Sequence, residues 1–300
     1  MSKAHASMVQ AGLLGLLVGV MACRQSPGVG QTEEGTLLPG VAQATDTLQR
    51  GVLLAGRALV LEGLSGRVVL RGTPEEVARL TFIRIGRGAS EAAARRTLRE
   101  IKLHEEGTAR VFRYRMEARQ PALAQVHVTG RVPRNARVVV RRSGGNVQLV
   151  GLEGPLQIRL AAGEVHVRGA ADSLDVHLQN GSVSVHFRRV PVDAIVTVQT
   201  ANGDLWLTLP PNADVQVRAE TEAGAVRVEG LRFTERQLHP RGVAGARFDG
   251  RLGQGRARVM LQTEHGDIVL RGSGPNGLLP ADTLLRPLPP DTVLQEPGAP

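Results

Sequence analysis

The sequence predicts an all-β fold: a β-solenoid, or parallel β-helix-like array, of about 20-residue two-strand repeats with one short helix in its N-terminal part. Three observations predict it. A glycine recurs at 145 (GNVQL), 163 (GEVHV), 181 (GSVSV), 203 (GDLWL), 224 (GAVRV) and 266 (GDIVL), at spacings of 18, 18, 22, 21 and 42. The residues two and four places after each glycine are always aliphatic, from Val147/Leu149 to Ile268/Leu270. Before each glycine runs a second alternating segment, such as Ile158/Leu160, Val176/Leu178 or Val259/Leu261. Alternate residues of a strand share a face, so both aliphatic columns are core and the intervening positions face solvent. Those third positions are Gln148, His166, Ser184, Trp206, Arg227 and Val269, which share no chemistry.

The elements follow in order. Residues 58–61, 67–71 and 79–85 alternate or run apolar, as strands do. Glu91 to about Arg99 is rich in helix formers behind Ser90, a polar cap candidate. Strands are expected at 101–104 and 109–117, with Phe112, Tyr114 and Met116 on one face of the latter. An outlying copy of the repeat begins at Gly66 (GRVVL), and the 42-residue gap implies a degenerate unit around 248–252. Self-similarity at this period marks a stack whose units pair with their neighbours. Strand–turn–glycine–strand is also a hairpin signal, so an antiparallel hairpin array is the alternative.

The carrying segments GRVPRNARVVVRRSGGNVQLVG (Gly130 to Gly151) and GDIVLRG (Gly266 to Gly272) resemble a bacterial putative-adhesin family of β-strand-repeat lipoproteins, a domain of unknown function. The resemblance covers about residues 51–272 and implies the fold far more than an activity.

The N-terminus reads as an export signal. Lys3 precedes twelve small or apolar residues, Ala11 to Ala22, too few to span a bilayer. Val20-Met21-Ala22-Cys23 resembles the lipobox of bacterial lipoproteins, with Met21 standing where Ala, Ser or Thr is usual. Cys23 is the one cysteine in the chain, so it has no disulfide partner and is expected to carry lipid. Arg24 follows it where Asp would suggest inner-membrane retention, which favours the outer membrane in a Gram-negative cell. The expected organisation is a signal peptide (1–22), a flexible tether (23–50), the repeat domain (51–272) and a Pro-rich disordered tail (273–300) with seven prolines.

The net charge is +9, and only Lys3 and Lys102 among 37 basic residues are lysines. A basic surface attracts anionic polymers, and in the cell envelope those are glycans and lipid headgroups, not nucleic acid. Aromatics are 2% of the chain, which counts against stacking platforms for sugars or single strands. Candidate contact residues are Trp206 and the outward arginines Arg159, Arg168, Arg188, Arg218, Arg227 and Arg258.

Catalytic chemistry is weakly represented. Asp204 and Asp267 share the column after the glycine, expected three units and about 14 Å apart, as turn residues bonding backbone N–H groups. His166, His177 and His186 lack metal-ligand spacing and read as solvent-facing. No cofactor or metal is expected. The sequence therefore points to a non-catalytic, lipid-anchored envelope protein presenting a rigid surface for adhesion or binding to anionic envelope polymers or surface proteins. An envelope-structural or signalling accessory is the alternative, and a polysaccharide-active enzyme ranks last.

Overall fold

Each glycine turn carries the chain from one sheet to another, so the two strands of a repeat never pair with each other. The computed structural model describes residues 42–274. The chain begins with β1 (Ala42–Leu53), β2 (Ala58–Gly63), β3 (Val68–Thr73) and β4 (Val77–Gly88). Helix α1 (Glu91–Glu100) follows, its first turn capped by Ser90, whose hydroxyl accepts from the Ala93 N–H at 3.3 Å. Next come β5 (Lys102–Gly107), β6 (Val111–Glu117), β7 (Ala124–Pro133), β8 (Val138–Arg142), β9 (Val147–Val150), β10 (Leu156–Ala162) and β11 (Val165–Ala170). The remainder is β12 (Leu174–Asn180), β13 (Val183–Phe187), β14 (Ile195–Asn202), β15 (Leu205–Leu209), β16 (Val215–Ala223) and β17 (Val226–Glu229). It closes with β18 (Glu235–Arg241), β19 (Gly245–Leu252), β20 (Ala257–His265) and β21 (Ile268–Gly272).

These strands form a ten-stranded sheet, β1-β4-β7-β3-β9-β11-β13-β15-β21-β17, and an eleven-stranded sheet, β18-β19-β16-β20-β14-β12-β10-β8-β2-β6-β5. Equivalent strands of successive units pair in parallel, as Val165↔Val183 and Ile158↔Val176 show. The solenoid expectation holds and the hairpin alternative does not. Antiparallel pairing is confined to the ends, where β4, β1 and β5 cover one and β19 and β18 the other.

The two aliphatic columns meet between the sheets. Val147, Leu149, Val165, Val183, Leu205 and Ile268 oppose Val138, Ile158, Val176, Val196, Val215 and Val259, all buried in one cluster. Val226 and Val228 stay only partly buried because β17 is an edge strand. Each turn glycine has positive φ and also lies against the backbone of the next rung. A Cβ on Gly181 would sit 1.8 Å from the Gly163 carbonyl oxygen, and one on Gly163 would sit 2.2 Å from that of Gly145. The column is therefore glycine for close approach as much as for φ.

Three expectations change. Residues 42–50, read as the end of a flexible tether, form most of β1, which pairs along its whole length with β4. Spatial order departs from sequence order at both ends. The unit β20/β21 lies between β14/β15 and β16/β17, and β6/β7 lies outside β2/β3. The 42-residue gap therefore holds no degenerate repeat: residues 248–252 belong to β19, an antiparallel cap on β16. Third, Ser273, assigned to the tail, is 8% exposed and donates its N–H to the Leu209 carbonyl at 2.8 Å. The signal segment, Cys23 and residues 275–300 lie outside the described residues.

Candidate functional site

The outward face of the ten-stranded sheet is built by alternation along its strands. Seven adjacent strands, β7, β3, β9, β11, β13, β15 and β21, contain no aspartate or glutamate. Their register lines up one row, Arg131, Arg71, Val150, Arg168, His186, Thr208 and Arg271, of which all but the buried Thr208 are at least partly exposed. A second row holds Gln148, His166, Ser184, Trp206 and Val269. Neighbouring rungs are about 4.8 Å apart, so the acid-free face extends for roughly 30 Å along the stack. Acids flank it: Glu164, Asp204 and Asp267 at the glycine corner, Glu75, Glu76, Glu153 and Asp172 in the loops beyond β3, β9 and β11, and Glu229 on the terminal β17, 2.7 Å from Arg271.

The opposite face is internally compensated. Glu62 pairs with Arg141 at 2.9 Å and Arg113 at 3.4 Å, and Asp249 with Arg218 at 2.9 Å and Arg247 at 2.7 Å. Asp175 accepts from Gln157 at 2.9 Å and lies 2.7 Å from His177. The two faces thus differ in charge although both are rich in arginine.

At the glycine corner, side chains seal the stack. The Asn146 amide oxygen accepts from the Glu164 N–H (3.3 Å), Ser182 Oγ from Asp204 (3.3 Å), Asp204 Oδ1 from Asp267 (2.8 Å) and Asp267 Oδ1 from Ala225 (2.9 Å). His127 Nδ1 takes the same role for Arg67 at 2.9 Å. Asp204 and Asp267 are therefore turn acceptors, as expected, but on adjacent rungs and not three units apart.

Residues 126–271 match the family model described as Toastrack DUF4097. This segment, just under half of the chain, is similar to that family. Two solved structures are similar to the chain. One is a putative cell adhesion protein from Clostridium sporogenes, at 14% identity and TM-score 0.46, covering 76% of this chain and 100% of that one. The other is a putative adhesin from Bacteroides fragilis, at 10% identity and TM-score 0.36, covering 75% and 97%. No curated protein matches the chain.

The six arginines singled out from the sequence do not share one row of the array. Arg168 and Arg227 extend from the ten-stranded sheet and Arg188 follows β13, whereas Arg159, Arg218 and Arg258 belong to the eleven-stranded one. Four have carboxylate partners: Arg159 with Asp175 (3.9 Å), Arg188 with Glu153 (2.8 Å), Arg218 with Asp249 (2.9 Å) and Arg227 with Asp267 (3.0 Å). Trp206 is half-buried beside Val269, which is only 5% exposed and so is no solvent position. The three histidines are divided too, His166 and His186 on one face and His177 on the other. Among the described residues no group of three His, Cys, Asp or Glu side chains is placed to hold a metal ion.

Sequence reasoning missed Arg142, at a position that is aliphatic in β10 and β12. It is 5% exposed, and burial pushes its guanidinium down to about 10, so it stays protonated at neutral pH. Its donors reach the carbonyls of Leu64, Ser65 (3.1 Å) and Val126 (2.6 Å) and the Met116 sulfur (3.4 Å). It ties β8 to the loops around β2/β3 and β6/β7, where spatial and sequence order part. The only signal was a second arginine where Val-Val-Val-Arg-Arg should return to an apolar residue.

Proposed function

We propose that this chain is a non-catalytic, lipid-anchored envelope protein whose Toastrack-like array binds an anionic envelope polymer on the outer face of its ten-stranded sheet. The observation that carries this reading is the acid-free run of seven strands bearing Arg131, Arg71, Arg168 and His186, with Arg271 at its end paired to Glu229 on the neighbouring strand. A paired rung spacing along a rigid face suits an extended chain of repeated negative charge, since many weak contacts then act together. Asp204 and Asp267, the one neighbouring acidic pair in the repeat column, hold backbone N–H groups, which argues against a carboxylate-driven hydrolase. Lipid on Cys23 would anchor the chain at the membrane, and Arg24 favours the outer membrane of a Gram-negative cell.

Retention of the full chain on an anionic glycan resin tests the binding. Retention should vanish at ~1 M salt, where the screening length falls to ~3 Å, and a neutral glycan should not retain the chain. Retention unchanged by salt would refute the reading. For the anchor, Cys23→Ser should move the protein out of the membrane fraction, and a variant that stays there would refute lipidation.

A further inference from the structure

A notch of about 660 Å³ opens where β9, β11 and β13 leave the ten-stranded sheet. Arg168, His186, Arg188, Asn212 and Ser273 supply its polar lining, and no carboxylate does. We propose that this notch binds a single oxyanion group, carboxylate or phosphate, of the polymer assigned above to the same face, and the site rests on that reading.

Four features support it. The Arg168 Nε is buried and donates to no acceptor, and among the described residues no carboxylate pairs with its guanidinium. A buried donor left unsatisfied is destabilising, so a fold that keeps one beside an open notch has room for an acceptor there. Arg188 reaches the same notch while Glu153, outside its lining, lies 2.8 Å away and steadies it from one side. Two planar guanidiniums can receive an oxyanion through paired N–H donors, which a lysine pair could not do as specifically.

Backbone geometry keeps the notch open. Gly151 and Gly169, both on its lining, have φ of +65° and +74°, the left-handed region that excludes most side chains. The register slips between Arg168 and Ala170, a bulge that carries the chain past Gly169 and brings the Arg188 N–H onto the Ala170 carbonyl at 2.9 Å. A Cβ on Gly151 would meet nothing within 4 Å, so that side of the notch is open space. Phe187, fully buried, and Val150 form apolar walls that limit water and strengthen each charged hydrogen bond. The larger groove on the eleven-stranded sheet, about 840 Å³, sets Glu62 and Glu264 beside Arg141, Arg142 and Arg159, so its arginines share their lining with carboxylates as those of the notch do not.

The test is NMR of the arginine Nε–Hε groups in the full chain, titrated separately with inorganic phosphate and with glucuronate. A saturable shift of the Arg168 resonance is expected with at least one probe, and the probe that saturates at lower concentration identifies the group. Arg168→Lys keeps the charge but loses Nε and should weaken binding about tenfold, near 1.4 kcal/mol. Arg188→Gln, a change at a largely exposed side chain, should weaken it too, and Arg159→Gln on the other face should not. No saturable shift with either probe, or a folded Arg168→Lys that binds unchanged, would overturn the site. If the site fails while salt-sensitive retention on the glycan persists, the face reading stands without it. Saturation at Arg168 beside salt-insensitive retention would leave the site standing and remove the face reading.

Discussion

Asp204 Oδ1 accepts the backbone N–H of Asp267 at 2.8 Å across 63 residues of chain. That bond exists because β21 inserts beside β15, ahead of the earlier β17, and it records the crossed order at this end of the stack. Asp204→Ala should therefore lower stability by about 1 kcal/mol, the usual worth of such a bond, and Asp204→Asn, which keeps Oδ1, should not. Thermal unfolding of the pair checks this.

Arg142 should be among the most sensitive positions of the array. Arg142→Ala strands the Leu64, Ser65 and Val126 carbonyls in the interior and is expected to cost about 3 kcal/mol or more. Arg142→Lys, with one ammonium for three acceptors, should recover part of it. Denaturant midpoints of the three proteins decide the matter.

Two glycines with positive φ should behave differently. Gly242 (φ +59°) has open space around it, so Gly242→Ala should cost only about 1–2 kcal/mol of backbone strain. Gly181→Ala adds a Cβ 1.8 Å from the Gly163 carbonyl oxygen, and the two rungs must separate. Soluble yield and the cooperativity of unfolding should survive the first change and collapse with the second.

The cap formed by β18 and β19 should be acid-labile. Burial raises the Asp249 carboxyl, but hydrogen bonds from Arg247 and Arg218 outweigh it and hold the group below its ordinary 3.8. A hydrogen bond from Arg256 holds Asp214 low in the same way. A depressed carboxylate contributes stability that is fully present above its unfolded value and is lost as pH falls through the folded one. Protection of the β19 amides, taken relative to their intrinsic exchange, should therefore fall as pH drops below that 3.8, and Asp249→Asn should remove the share that Asp249 contributes.

The repeat itself was legible because two physical demands fall on fixed positions: a glycine where rungs touch, and aliphatic side chains two and four places on. Parallel pairing followed from unit length, and α1 from Ser90 and the alanines behind it. Unit order was not legible. Each edge presents the same backbone ladder and the same valines and leucines, so the strand sequences alone do not distinguish β21 from β17 as the neighbour of β15. Arginines read in sequence order mixed the two faces, since successive strands alternate between sheets. The charge difference appears only when every second strand is taken together and found to lack acids.

The central claim is that one face, not net charge, does the binding. Two triple variants of the full chain, each losing three positive charges, test it on an anionic glycan resin. Arg71→Gln/Arg131→Gln/Arg168→Gln alters the ten-stranded sheet, and Arg159→Gln/Arg236→Gln/Arg258→Gln the eleven-stranded one. The first should elute at much lower salt than the unaltered protein, and the second close to it. Equal shifts for both variants, or a larger one for the second, would contradict the account.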